Sequence, residues 1–149
     1  MKKFFFCSAL LLFIAFAFPA RQGHCEAQTP EELVREFYIW YTNELNKAPL
    51  PELNNEIYNY VHPCTVNKLR IEHKMSSTDS NYFIKGNDHW PQLFTYITAG
   101  KVVKINDDVS IVPFGFGESK SESAPHLAVF IQKEDGVWRI IKVEDTRGH

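Results

Sequence analysis

The chain has 149 residues, 44% of them apolar and 14% aromatic, enough to build the core of one domain. Its 16 basic and 18 acidic residues give a formal charge of −2. That balance supplies no basic patch of the kind nucleic acid or an anionic membrane surface requires, so a protein or a small ligand is the expected partner.

The first element is a leader. Met1-Lys2-Lys3 precedes the apolar run FFFCSALLLFIAFAF, which Pro19 and Arg21 close. A membrane-spanning helix needs roughly 20 apolar residues. A basic start and a shorter apolar run are the pattern of a secretory signal peptide, cleaved after small residues. Cleavage near Ala27 divides the chain into a signal peptide, residues 1–27, and a single α+β domain, residues 28–149, exported to the periplasm without stable membrane insertion. Removing Lys2, Lys3, Arg21 and Glu26 from the 16 basic and 18 acidic residues leaves a mildly acidic mature chain, near −4. Cys64 then stands alone and reads as a small apolar core residue. Earlier cleavage would retain Cys25, and an oxidising compartment would permit a Cys25–Cys64 disulfide.

Thr29-Pro30-Glu31-Glu32 starts a helix. Thr29 can cap it, Pro30 suits its first turn, and Glu32 completes a capping box. Leu33, Val34, Phe37, Tyr38, Tyr41 and Leu45 follow at helical spacing, with Trp40 widening the stripe. The prolines of NKAPLP end this helix near Asn46. PELNNEIYNYV predicts a shorter helix with Leu53, Ile57 and Tyr60 or Val61 on one side. A third helical stripe carries His62, Val66, Leu69 and His73. Residues 76–80 read as a loop.

Beyond Tyr96 the pattern changes to strands. Four segments rich in Val, Ile and Phe run from Tyr96 to Asn106, Asp108 to Gly117, Pro125 to Lys133 and Val137 to Glu144. Asn106-Asp107-Asp108, ESKSESA and Glu134-Asp135-Gly136 separate them as hairpin turns. Pro113 cannot donate a ladder bond, which predicts an edge position or a bulge. Helices followed by an antiparallel meander define an α+β fold, its N-terminal helices packed on a curved four-stranded antiparallel sheet.

EELVREFYIWY, DSNYFIKGND and GVWRIIKVED, in this order, resemble a family of small exported bacterial proteins of unknown function. Its members carry Phe-Tyr-x-x-Tyr on an opening helix, an acidic Tyr-Phe segment, and a closing Gly-x-Trp-x-Ile-x-x-Val. The resemblance implies a cystatin-like, nuclear-transport-factor-2-like fold, in which a curved sheet wraps a helical layer. Asn81 stands where the family's acidic segment carries a second Asp. The family implies no reaction.

The residue types offer little chemistry. Asp79, Asp88 and His89 lie among Tyr82, Phe83 and Trp90. They read first as caps and turn-pinning groups at a folded corner, and second as the rim of a pocket with His89 as acid or base. The pocket rim would comprise Tyr38, Tyr41, Asp79, Tyr82, Asp88, His89 and Trp138. His62, Cys64, His73, His89 and His126 show no tight zinc-ligand spacing, so neither a metal nor a cofactor is expected. Cys64 lacks a visible base partner, and Gly-x-Ser-x-Gly is absent. Gly115 and Gly117 either admit a close approach from outside or let the strand bend.

The expected function is a non-enzymatic module binding a protein or small ligand at the concave sheet face or at the loop after Gly117. One specific form is an immunity-type protein that plugs a toxin delivered to the periplasm. The alternatives are a small pocket enzyme relying on Asp88 and His89, and an accessory subunit of an envelope complex.

Overall fold

The structure is a computed structural model. It describes residues 28–45, 47, 50–75, 82–85, 96–117, 119–120 and 123–147. The expected signal peptide, Cys25, Asp79, Asp88, His89 and Trp90 lie outside the described residues.

Helix α1 spans Pro30–Glu44 and is capped as its sequence dictates. The Thr29 hydroxyl accepts the Glu32 N–H at 3.3 Å, and the Glu32 carboxylate accepts the Thr29 N–H at 2.8 Å. These bonds hold the Glu32 carboxyl below its ordinary range, the backbone bond from Thr29 being the larger cause. Leu33, Val34, Phe37, Tyr38 and Tyr41 form its buried face.

The second expected helix is instead two 3₁₀ turns, Pro51–Leu53 and Asn55–Asn59. Asn54 between them is extended, and its side chain accepts the Glu56 N–H at 3.0 Å. Short polar side chains compete in this way with helical backbone bonds. The break rotates the register, so Pro51 and Glu52 are buried while Leu53, expected inside, is exposed. Arg70 holds the segment by donating to the carbonyls of Glu52, Leu53 and Asn54 at 2.9, 3.2 and 3.2 Å.

Helix α2 spans Pro63–Met75, with Val66 and Leu69 buried. Cys64 falls off that stripe and is exposed, contrary to the core position expected for it.

The sheet is antiparallel and holds five strands rather than four, ordered β1-β3-β4-β5, with β2 also paired to β3. They are β1 Tyr96–Ala99, β2 Val103–Lys104, β3 Val109–Gly117, β4 Leu127–Glu134 and β5 Val137–Asp145. The first expected strand is split at Gly100. Gly100 donates to the Pro113 carbonyl at 2.7 Å, and a Cβ on Gly100 would stand 2.9 Å from that of Pro113.

Pro113 therefore lies in an internal strand, not at an edge. N–H and C=O of one strand residue point to the same side. The donor Pro113 lacks thus faces the break between β1 and β2, where no ladder partner requires it. At the other border, β5 is shielded by an isolated bridge between Val61 and Ile140. A register shift between Phe130 and Ile131 bends the β4–β5 pair. The Asp135-Gly136 turn has both residues at positive φ, 50° and 82°, as a tight two-residue hairpin demands.

Candidate functional site

Two faces of the sheet compete for function, and the side-chain parity of β3 tells them apart. Ser110, Val112, Phe114 and Phe116 point to the helices and are buried. The Tyr38 ring stacks on Phe114 at 4.2 Å, and Phe37 meets Phe83 edge-on at 4.9 Å. Val129, Ile131, Ile140 and Val143 complete the layer. The helix-facing side, where a concave binding surface was expected, is thus filled by the protein's own aromatic and aliphatic side chains.

The expected rim residues distribute accordingly. Tyr38 is buried and donates its hydroxyl to the Phe83 carbonyl at 2.9 Å. Burial pushes its pKa far up, with the Tyr82 ring oxygen a lesser cause. Tyr41 is equally buried and donates to the Glu52 carboxylate at 2.5 Å. Its pKa is also raised well above the ordinary value, first by burial and then by the Glu52 charge. Both are interior residues whose polar ends are already engaged.

Tyr82 is half-buried, edge-on to Phe83, with the Lys85 ammonium 4.1 Å from its ring centre. Trp138 is half-buried, with the Lys133 ammonium 5.6 Å from its ring. These two approach different parts of the core from its border. Among the described residues no three His, Cys, Asp or Glu gather as a metal site, and no helix is long and apolar enough to cross a membrane.

The described end of the loop after Gly117 is held against the sheet. Ser123 is buried and shares a hydrogen bond with Thr98 at 3.0 Å. The strap at Ser123–Ala124 runs across Gly115, where a Cβ would stand 2.4 Å from the Ala124 oxygen. Gly115 thus admits a close approach, but the visitor is the chain's own backbone. The strap leads into His126, whose ring is buried against Phe116 at 4.8 Å. Nδ1 of His126 lies 3.2 Å from the Ala124 carbonyl, while Nε2 has no hydrogen-bond partner among the described residues. Burial is the main cause holding its pKa below the ordinary value.

The opposite, helix-free side of the sheet went unremarked in the sequence. The pairing register puts Val103, Val109, Ile111, Phe130 and Val137 there, with Ile105 bonded through its N–H to the Val109 carbonyl at 2.9 Å. Val103, Ile105 and Val137 are 51%, 55% and 45% exposed. The signal was present: Val-Ser-Ile-Val-Pro-Phe and Leu-Ala-Val-Phe-Ile carry apolar residues at both parities, whereas a solvent-facing antiparallel strand alternates with polar ones. Lys142 borders this surface, 5.7 Å from the Phe130 ring and 2.5 Å from Glu144.

These features define an α+β protein with an aromatic interior and, among the described residues, exposed apolar side chains on the opposite sheet face. No protein-family model and no curated protein matches the chain. Solved structures do match, two of which come from one complex. A chain of the native type VI effector–immunity complex Tae3–Tai3 from Ralstonia pickettii is 29% identical with a TM-score of 0.69, the match covering 82% of this chain and 98% of that one. A chain of the selenomethionine form of that complex gives 27% identity and the same TM-score of 0.69, over 81% and 99%. The chain is thus similar to a component of a crystallised protein–protein complex over nearly all of that component's length.

Proposed function

We propose that this chain is an immunity-type protein: an exported, periplasmic, non-enzymatic module that binds a toxic effector and blocks it. The observation carrying this reading is the likeness to a Tae3–Tai3 chain across 98% of that chain at 29% identity. The fold we assign is the cystatin-like, nuclear-transport-factor-2-like arrangement, supported by α1 lying on the bent sheet.

Two features favour the immunity side over the effector side. The interior polar groups Tyr38, Tyr41 and Glu52 are bonded within the core. Cys64, the exposed thiol among the described residues, has its backbone N–H directed to the His62 ring at 3.2 Å. That arrangement caps α2 and engages Nδ1 of His62, whose Nε2 lies 3.4 Å from Glu134. The leader MKKFFFCSALLLFIAFAF supports export.

The test is expression of the chain in a bacterial host with its own leader, alone and together with the effector of the Ralstonia pickettii complex directed to the periplasm. The expected outcome is normal growth with the chain alone and rescue of growth with the effector. Growth arrest by the chain alone would make it the effector, and failure to rescue would refute the immunity reading.

A further inference from the structure

We infer that the helix-free face of the sheet, between the strap and the two acidic turns, receives the partner, and that the partner is a protein presenting an apolar centre flanked by basic groups. The inference rests on the immunity reading and names the surface that reading leaves open.

The helix-facing side is occupied by the core, so an incoming protein has to use an outer surface. Among the described residues Val103, Ile105 and Val137 are exposed, with Ile111 and Phe130 half-buried between them. An apolar patch inside a polar rim is the usual anatomy of a recognition surface. The patch is bounded at one end by the strap on Gly115. At the other end the β2–β3 and β4–β5 turns lie side by side, joined by the Lys133 N–H donating to the Asp108 carbonyl at 2.7 Å.

Those turns carry Asp107, Asp108, Glu134 and Asp135. Lys104 neutralises Asp107 at 2.8 Å. Glu134 has only the His62 ring at 3.4 Å, and Asp108 and Asp135 have no ion pair among the described residues. The excess carboxylates ask for cations from outside, which selects a basic partner rim over an acidic one. Arg139, opposite Gln132 and at the next same-face position in from the Glu134–Val137 pair, offsets part of this negative charge, and Lys142 is engaged by Glu144 at 2.5 Å. Lys104 on the uncovered edge of β2 opposes strand addition there, because edge lysines block pairing. The contact is therefore made by the face and not by the edge.

The probe is the effector of the Ralstonia pickettii complex, titrated by calorimetry against the full mature chain. Ile105→Lys with Val137→Lys is expected to weaken binding at least about 100-fold, since a buried apolar centre carries most interface energy. Asp108→Lys with Glu134→Lys is expected to weaken it about tenfold and to flatten its salt dependence. Ile71→Lys with Met75→Lys, on exposed positions of α2, is the control expected to bind as wild type. Circular dichroism checks that each variant is folded.

Wild-type affinity in the Ile105/Val137 variant, or loss of binding in the α2 control, overturns this surface and leaves the immunity reading standing. No binding by the wild-type chain overturns both. A wild-type dimer by light scattering that Ile105→Lys dissociates would assign the face to a second copy and also overturn the proposal.

Discussion

Replacing Gly115 with alanine tests whether the strap is seated on the sheet. The new Cβ would stand 2.4 Å from the Ala124 oxygen and 2.6 Å from the Ser123 oxygen, while ordinary contact begins at 3.4 Å. The strap has to retreat by about 1 Å, the difference between 3.4 and 2.4 Å. Both obstacles are backbone atoms, so no side-chain rotation relieves the clash. The retreat stretches the bond from the His126 N–H to the Phe114 carbonyl, 2.9 Å, and the Thr98–Ser123 hydroxyl pair, 3.0 Å. Each bond contributes about 1 kcal/mol net, and residual overpacking adds about 1–2 kcal/mol. The expected loss is about 3–4 kcal/mol, read by urea denaturation as a lower midpoint at unchanged slope. Gly136→Ala is the comparison. Its φ is 82° but nothing lies within 4 Å, so only the left-handed backbone costs anything, about 1 kcal/mol. A Gly115→Ala variant within about 0.5 kcal/mol of wild type would show that the strap does not rest on the sheet.

Further expectations follow from other contacts. A double-mutant cycle with Tyr41→Phe and Glu52→Gln should give a coupling of about 1.5–3 kcal/mol in urea denaturation, because the 2.5 Å bond is buried and charge-assisted; additive effects would refute it. Arg70→Lys should destabilise by about 1–2 kcal/mol in the same assay, since an ammonium cannot span the three carbonyls that the guanidinium reaches. His126 has a folded-state pKa below its ordinary 6.5. The unfolded chain binds that proton first as pH falls, so stability should decline below about pH 6.5, by at most about 1.4 kcal/mol per unit; His126→Phe should remove this slope in thermal melts across pH. Asp145 is held at about 2 instead of 3.8, chiefly by its bond to Arg147. Its contribution is complete above pH 3.8 and lost toward pH 2, and Arg147→Gln should abolish that acid-limb loss, of order 1 kcal/mol after solvent screening.

Local rules carried the sequence reading where one residue's chemistry decides the outcome. The Thr29–Glu32 capping box needs only four residues, and the aromatic stripe from Phe37 to Tyr41 buries the side its spacing predicts. The Asp135-Gly136 turn fixes the β4–β5 hairpin by itself. Failures came where a distant contact decides. Asn54 breaks the PELNNEIYNYV helix and turns Glu52 inward, which is tolerable only because Tyr41 donates to its carboxylate. Pro113 is internal because β1 and β2 part at Gly100 opposite it, a gap no short window reveals. Cys64 differs from its expected burial by a single step around α2. Gly115 left a close approach and a strand bend both open, and the strap at Ser123–Ala124 that lies against it carries no motif. Tyr38 and Tyr41, expected on a pocket rim, have their hydroxyls satisfied by Phe83 and Glu52 within the core.

The distribution of apolar residues between the two sheet faces ties fold to function. A protein that needed only to fold would bury Val112, Phe114, Val129, Ile131, Ile140 and Val143 on α1 and α2, and would leave polar residues on the other face. Instead Val103, Ile105 and Val137 stand exposed on that face, with Ile111 and Phe130 half-buried among them, and exposed apolar surface raises the hazard of association. Lys104 on the uncovered edge and the carboxylates of the two turns limit that hazard without covering the patch. On the proposed reading, the apolar residues that cost solubility there serve a second solvent-excluding event, the docking of another protein. With the side of the sheet facing the helices filled by the protein's own side chains, the proposed recognition falls to the opposite side.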